Sequence, residues 1–329
     1  MERKTSSPLF FSSVFEGKMG RYIVIRSFQG VLVIFLVSIV AFIVLRLIPG
    51  DPTSLLLGEG QVQLTEEDKR LILSSWGLDK PWFEQYVIWL GNMFTGNFGN
   101  SIIRQGVPIS QMIAEALPVT LTLNLVAVLL AVGISIPLGI IAGAKKNSPF
   151  DYVITVVSTL GVATPNFWLG LMLIIIFAVI FKLLPPYGAS NWTGYILPAF
   201  VLAFEQLAIF SRITRSSMIE ALNQDYVRTA RSKGLSNSAV LVGHAVRNAL
   251  LPIVTVIGFQ IAFLFSGTIV IETVFALPGL GRLFFDSLLR YDYQVVQAIV
   301  LLFSVLVVVV NIITDLVYGL VDPRIRVKK

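Results

Sequence analysis

The chain has no cysteine and a single histidine, His244, and only 13% of its 329 residues are charged. Without cysteine there is no disulfide framework, no thiolate metal site and no cysteine nucleophile, and nothing about redox compartment can be inferred. No second histidine stands near His244, so a metal site is not supported there. The residue reads as a helix-interior side chain packing against its neighbours. No G-x-x-x-x-G-K-[ST] loop occurs, so the chain does not cradle a nucleoside triphosphate in the usual way, and no catalytic residue is assigned. Gly279-x-Gly281 begins like a dinucleotide loop but lacks the preceding strand, the further glycine and the acidic ribose ligand. It reads as a turn on the outer face. Solenoid repeats and low-complexity tracts are also missing.

What the chain has in excess is apolar sequence, with 55% of its residues hydrophobic. That composition describes an all-α polytopic membrane protein. Apolar runs lie at about 23–47, 117–141, 153–184, 196–213, 251–275 and 295–320, which predicts six transmembrane helices with both termini on one side. The first run follows a basic flank like that of a secretory signal, but at about 25 residues it exceeds an h-region of roughly 7 to 15, and no small-residue cleavage site follows. It reads as a retained span. The third run, about 32 residues, would be near 48 Å as a straight helix against a hydrocarbon core of about 30 Å. Pro165, which lacks an amide donor and clashes with the preceding turn, predicts a break at Thr164-Pro165, with the part before it along the interface.

The formal charge of +6 belongs to bases that flank the spans, so it predicts orientation and no nucleic-acid partner. In the six-span arrangement about 17 Lys and Arg fall on the side of the termini and about 8 on the other. The termini are therefore expected in the cytoplasm: a tail over 1–22, a transmembrane domain over 23–320, and a tail over 321–329. The long segment at about 49–116 reads by composition either as a flexible acidic loop or as a small extracytoplasmic helical cap; Trp76, Trp82 and Trp89 favour the ordered cap, and Glu66, Glu67 and Asp68 after Thr65 suit the first turn of one of its helices.

One polar, basic loop stands out, at about 219–251 and closing at Pro252, between two membrane-length apolar runs. Arg228, Arg231 and Lys233 cluster there, Gly234 is placed as a helix stop, and Ser236 as the next N-cap. Two short helices joined at a tight corner follow. Tyr226, Val227 and Ala230 form an apolar stripe on the first of them, suited to a partner's groove or, in the alternative reading, to a basic interfacial helix held by anionic membrane lipid.

The run from Tyr226 to Ser236, followed by His244-Ala245-Val246-Arg247-Asn248-Ala249-Leu250-Leu251-Pro252, resembles the cytoplasmic loop of ABC importer permeases of the dipeptide, oligopeptide and nickel class. The wider superfamily writes this loop Glu-Ala-Ala, three residues, Gly, then Ile-x-Leu-Pro. Here Arg228 replaces the Glu, and the stretch from Gly234 to Pro252 has the greater length of the peptide and nickel branch. Leu45-Arg46-Leu47-Ile48-Pro49-Gly50-Asp51-Pro52 resembles that branch's first-helix exit, and the run from Glu272 to Arg282 its segment after the fifth helix. The resemblance covers nearly the whole chain, least diagnostically in the first twenty residues and from Glu59 to Trp89.

It implies the type I importer permease fold in a bacterial or archaeal plasma membrane. It also implies a second homologous permease, two ATPase subunits that hold ATP and Mg, and an extracytoplasmic binding protein, with no cofactor on this chain. Asp225, Tyr226, Val227, Arg228, Thr229, Ala230, Arg231, Lys233 and Gly234 would form the coupling helix that seats on an ATPase. The expected cargo is a dipeptide or oligopeptide. Nickel complexes, glutathione or oligosaccharides travel through similar permeases, and a stand-alone channel or secondary transporter is the reading from another class.

Charged and amide side chains inside spans supply the pathway candidates, because an unpaired intramembrane carboxylate is costly and faces a cavity or a partner. Glu205, Gln206 and Gln260 are those candidates. Glu205 is expected either to line the pathway facing a substrate amine or to pair with Arg212 in a packing role. Asp315 and Glu272, near span ends, are expected in hydrated structural roles. Gly139 and Gly143 offer a spacing that lets two helices approach closely.

Overall fold

A computed structural model of the chain describes residues 10–47, 65, 67, 74, 79–104, 106–188 and 191–321. The tail readings over 1–9 and 322–329, most of the first-helix exit, Trp76, and Glu66 and Asp68 lie outside the described residues. The helices are α1 (Phe10–Leu47), α2 (Trp82–Phe94), α3 (Ile109–Ala144), α4 (Pro149–Ala163), α5 (Asn166–Leu173), α6 (Ile196–Leu222), α7 (Asp225–Ser232), α8 (Asn237–Val240), α9 (Arg247–Val274), α10 (Leu280–Leu289) and α11 (Tyr293–Val321). Five helical stretches, in α1, α3, α6, α9 and α11, are long and apolar enough to cross a membrane, and the bent pair α4 and α5 makes six if counted as one span.

That bent pair is the long third apolar run. Ser148 caps α4 by accepting from the Asp151 amide, Pro165 interrupts the helix, and the chain turns by 105° into α5, which continues as a π-helical stretch over Ile174–Ile180. The Asp151 carboxylate receives a forked hydrogen bond from Arg215 of α6, through Nε and through Nη2 at 2.8 Å, and a third from the Asn147 amide at 2.9 Å. A planar guanidinium matched to a carboxylate in this way fixes both position and angle. It holds the first turn of α4 on α6.

The α6 helix is the most buried of the spans. Its apolar face packs Leu123, Ala127 and Ala131 of α3 and Leu264 and Ile271 of α9 into one core cluster. Gly139 and Gly143 set the approach of α3 to α6. A Cβ on Gly139 would fall 2.8 Å from the Ser211 carbonyl oxygen, and one on Gly143 would fall 2.8 Å from that of Arg215. Lipid tails are as apolar as leucine, so helices in a membrane associate through this kind of close contact between small residues.

Glu272, at the end of α9, is fully buried, which corrects the expectation of a hydrated position. The reason is tertiary: α10 folds back over it. Thr120 of α3 donates to Oε1 at 2.6 Å and the Arg282 amide in the first turn of α10 donates to Oε2 at 3.0 Å, while Thr120 itself accepts from the Leu280 amide at 2.8 Å. Asn124 donates to the Thr120 carbonyl at 2.8 Å and accepts from Thr268 at 3.1 Å, which extends the network along α3 and α9. Gly279, the N-cap of α10, and Gly281, in its first turn, are likewise buried against α9. A side chain on Gly279 would run into the Glu272 carboxylate, and one on Gly281 would meet the Ile269 backbone at 2.6 Å.

The remaining elements hang from this frame. Asp292, just before α11, is buried and accepts from Ser101 and from the Ile102 amide at 3.3 Å, tying down the turn that closes with the Asn100–Pro108 bridge. Arg26 of α1 pairs with Asp315 of α11 at 3.0 Å, consistent with the structural role expected of that aspartate. Between the first two spans, α2 is the described helix of the predicted cap. It rests on the end of α1: Phe42 and Tyr86 meet edge to face at 5.2 Å, and Arg46 donates to Gln85 Oε1 at 2.7 Å.

Two substitutions check this account. Gly139→Leu is expected to cost about 1–3 kcal/mol through overpacking and to lower the melting temperature of the detergent-purified protein, whereas Gly133→Leu, on the same helix with open space around it, leaves it unchanged. Glu272→Ala orphans the Thr120 hydroxyl and the Arg282 amide at about 1–3 kcal/mol each, so a sharp loss of folded protein by size-exclusion chromatography is expected.

Candidate functional site

Two places gather the residues singled out in the sequence. The first is the loop between α6 and α9. Its first helix, α7, has only eight residues, too short to be stable alone, and the chain around it supplies what is missing. Gly234 takes φ +78°, and the Leu235 and Gly234 amides donate back to the carbonyls of Ala230 and Arg231 at 3.4 and 2.9 Å, the paired closure of a Schellman motif. Ser236 then caps α8 by accepting from the Ala239 amide at 3.4 Å. The corner is therefore built at the residues expected.

The apolar stripe divides. Val227 and Ala230 turn inward and close on Val240 of α8, while Tyr226 remains 38% exposed. Asp225, Arg228, Thr229, Arg231, Lys233 and Gly234 are all exposed, and Asp225 and Arg228 pair across the solvent face at 3.5 Å. The outward surface is thus one aromatic ring set among charges, and Val227 and Ala230 hold the loop together. Met218 and Ala221 of α6 pack with Ala245 and Ala249 on the far side, which fixes the loop to both of its stems. His244 is exposed in the π-helical turn Leu241–Val246, contrary to the packed position expected. Adjacent helical residues point in different directions, and here Ala245 takes the buried one.

The second place is a cleft of about 260 Å³ between α5, α6 and α9, lined among others by Asn166, Glu205, Gln206, Gln260 and Phe263. It brings together the three residues marked as pathway candidates. Glu205 is half-buried and accepts from Asn166 Nδ2 at 2.9 Å. Its partner is therefore this amide and not Arg212. Arg212 lies nearer the α7 end of α6 and lines a separate hydroxyl-rich pocket with Thr155, Ser158, Thr159 and Ser216. Gln206 is 6% exposed, and its Oε1 has no hydrogen-bond partner. Asn166 was not marked in the sequence. The signal that points to it is its place directly after Pro165, where a chain break frees the first turn of α5 to face α6.

Comparison with known proteins agrees with the architecture. Over residues 135–327 the chain matches the family described as binding-protein-dependent transport system inner membrane component, and over residues 19–124 the corresponding N-terminal family. It is 42% identical over 318 residues to the oligopeptide transport system permease protein AppB of Bacillus subtilis (strain 168), covering 94% of this chain and all of that one. To the dipeptide transport system permease protein DppB of Escherichia coli (strain K12) it is 38% identical over 324 residues, covering 89% of this chain and 95% of that one. Among solved structures, the inward-facing MetNI methionine ABC transporter shares the fold at a TM-score of 0.56 and 16% identity, covering 64% of this chain and 97% of that one. The chain belongs to the family of binding-protein-dependent transport system inner membrane components, and is a multi-pass, non-catalytic permease subunit of an ABC importer.

Proposed function

We propose that the chain is one of two homologous permeases that together enclose a pathway for peptides, delivered from outside the membrane by a binding protein. The names of relatives at 38–42% identity support a peptide cargo over the nickel, glutathione and oligosaccharide alternatives. The Lys and Arg excess beside α7 and the termini supports a cytoplasmic position for that end of the bundle, with the segment at about 49–116 outside.

The observation that carries the mechanism is the outward face of α7. A short helix, folded on its own small core and fastened to α6 and α9, presents Tyr226 and a rim of charges to solvent. That is the anatomy of a docking knob: one aromatic anchor inside a polar border. Each permease would seat this knob on an ATPase subunit, where ATP and Mg remain. Closure of the two ATPases on ATP would draw the knobs together and tilt the spans to which they are attached, and hydrolysis would release them. The permease is then a two-state packing biased by the ATPases' differential affinity for nucleotide.

Gentle purification of the tagged chain from its native membrane is expected to recover a second permease and two P-loop ATPases. Tyr226→Asp should lose the ATPases and keep the second permease, because the ring projects outward. Retention of both ATPases by that variant would remove α7 as the docking element. Gly234→Leu forces a left-handed residue to carry a branched side chain at about 1–2 kcal/mol, re-aiming α8. Reconstituted with its partners, it is expected to hydrolyse ATP while importing peptide roughly tenfold more slowly, a coupling loss of about 1.4 kcal/mol. Unchanged uptake would show that the corner does not transmit the motion.

A further inference from the structure

The cleft between α5, α6 and α9 has an unbalanced polar inventory. Glu205 offers a carboxylate with room for about four hydrogen bonds and receives one, from the neutral amide of Asn166. No cationic side chain pairs with it among the described residues. Gln206 beside it is buried with an unpartnered Oε1, and Gln260 adds a further amide to the lining. The walls between these groups are apolar, from Leu202, Phe263 and Leu264. A carboxylate with no cationic partner and a buried amide oxygen with no donor, both inside a membrane-spanning bundle, are matched by a group that carries a positive charge and several N–H donors. An ammonium has three such donors. At about 260 Å³ the cleft is small for a whole oligopeptide and suits the end of one, while Phe263, 55% exposed at its border, offers an aromatic face to a cation or an adjoining side chain.

We infer that this cleft binds the amino-terminal ammonium of the transported peptide, with Glu205 as its counter-charge and Gln206 and Gln260 as further acceptors. The inference rests on the peptide-import reading above. It assigns to the permease a contact with the one cationic group that every unmodified peptide carries whatever its sequence. A site of this kind tolerates varied side chains and still refuses blocked amino termini.

The test uses the complete transporter, co-purified with its second permease and ATPases and returned to lipid vesicles without binding protein, so that selection by the binding protein does not intervene. Two photoreactive tripeptides are compared, each ending in benzoylphenylalanine, one with a free amino terminus and one acetylated. The free-amine probe is expected to label the 259–267 segment roughly tenfold more than the acetylated one, as the loss of charge-assisted hydrogen bonds requires. That preference should vanish in Glu205→Gln and persist in Glu205→Asp, which keeps the charge and controls for folding. Equal labelling by both probes, or an undiminished preference in Glu205→Gln, overturns the ammonium site. None of these outcomes touches the import reading, which fails separately if the wild-type transporter, supplied with its binding protein and ATP, takes up no labelled tripeptide.

Discussion

A carboxylate taken out of water has to be given hydrogen-bond donors by the protein, and Glu272 draws its donors from two other elements. Thr120 brings α3 to it, and the first turn of α10 brings its free amides, where the positive end of the helix dipole also favours an anion. This accounts for Gly279 and Gly281 together, since a side chain at either would strike the carboxylate or the α9 backbone. The rest of the bundle is assembled from that junction. The α10 helix leads through buried Asp292 into α11, and α11 carries α1 through the close approach of Gly30 to Val308 and the pairing of Arg26 with Asp315. A carboxylate at position 272 left without these donors would cost several kcal/mol or be driven to protonate, so α3, α9 and α10 support one another at this junction.

Much of this was legible in the sequence, for reasons that differ from residue to residue. Apolar runs of membrane length identify the spans because nothing else in a protein requires them. Their ends were less legible. The α3 helix begins at Ile109, before its apolar run, and α6 continues through Arg212 and Arg215 to Leu222, because charged side chains extend a helix into water as readily as apolar ones carry it through lipid. Pro165 and Gly234 were readable individually, since each has a backbone restriction or freedom that acts locally. Glu272 was misjudged because its environment comes from α3 and α10, and sequence distance from a span's end says nothing of what folds over it. The same holds for the cleft: Glu205 was visible as a charge in an apolar run, but Asn166 lies 39 residues away from it, and only the 105° turn brings them together.

The resemblance noted at the loop and the identity to peptide-transport permeases point to the same family, although Arg228 replaces the acidic residue of the wider pattern. In the structure Arg228 makes its ion pair with Asp225, one turn earlier on the same exposed face. An exposed pair of this kind contributes little to stability. The fold of the loop therefore does not depend on which charge occupies position 228, and the position is open to vary with whatever surface faces it.

Because Val227, Ala230 and Val240 close on one another, the loop is a solid body before anything touches it. A disordered segment would have to be ordered at each encounter and would stretch when pulled. A prefolded one meets its partner with most of its conformational entropy already lost, so association approaches rigid-body docking. Stiffness then matters as much as affinity. With α7 docked as proposed, a displacement applied at Tyr226 would pass to α6 and α9 through the packing of Met218, Ala221, Ala245 and Ala249, and the loop would act as a lever whose arm is set by the glycine corner.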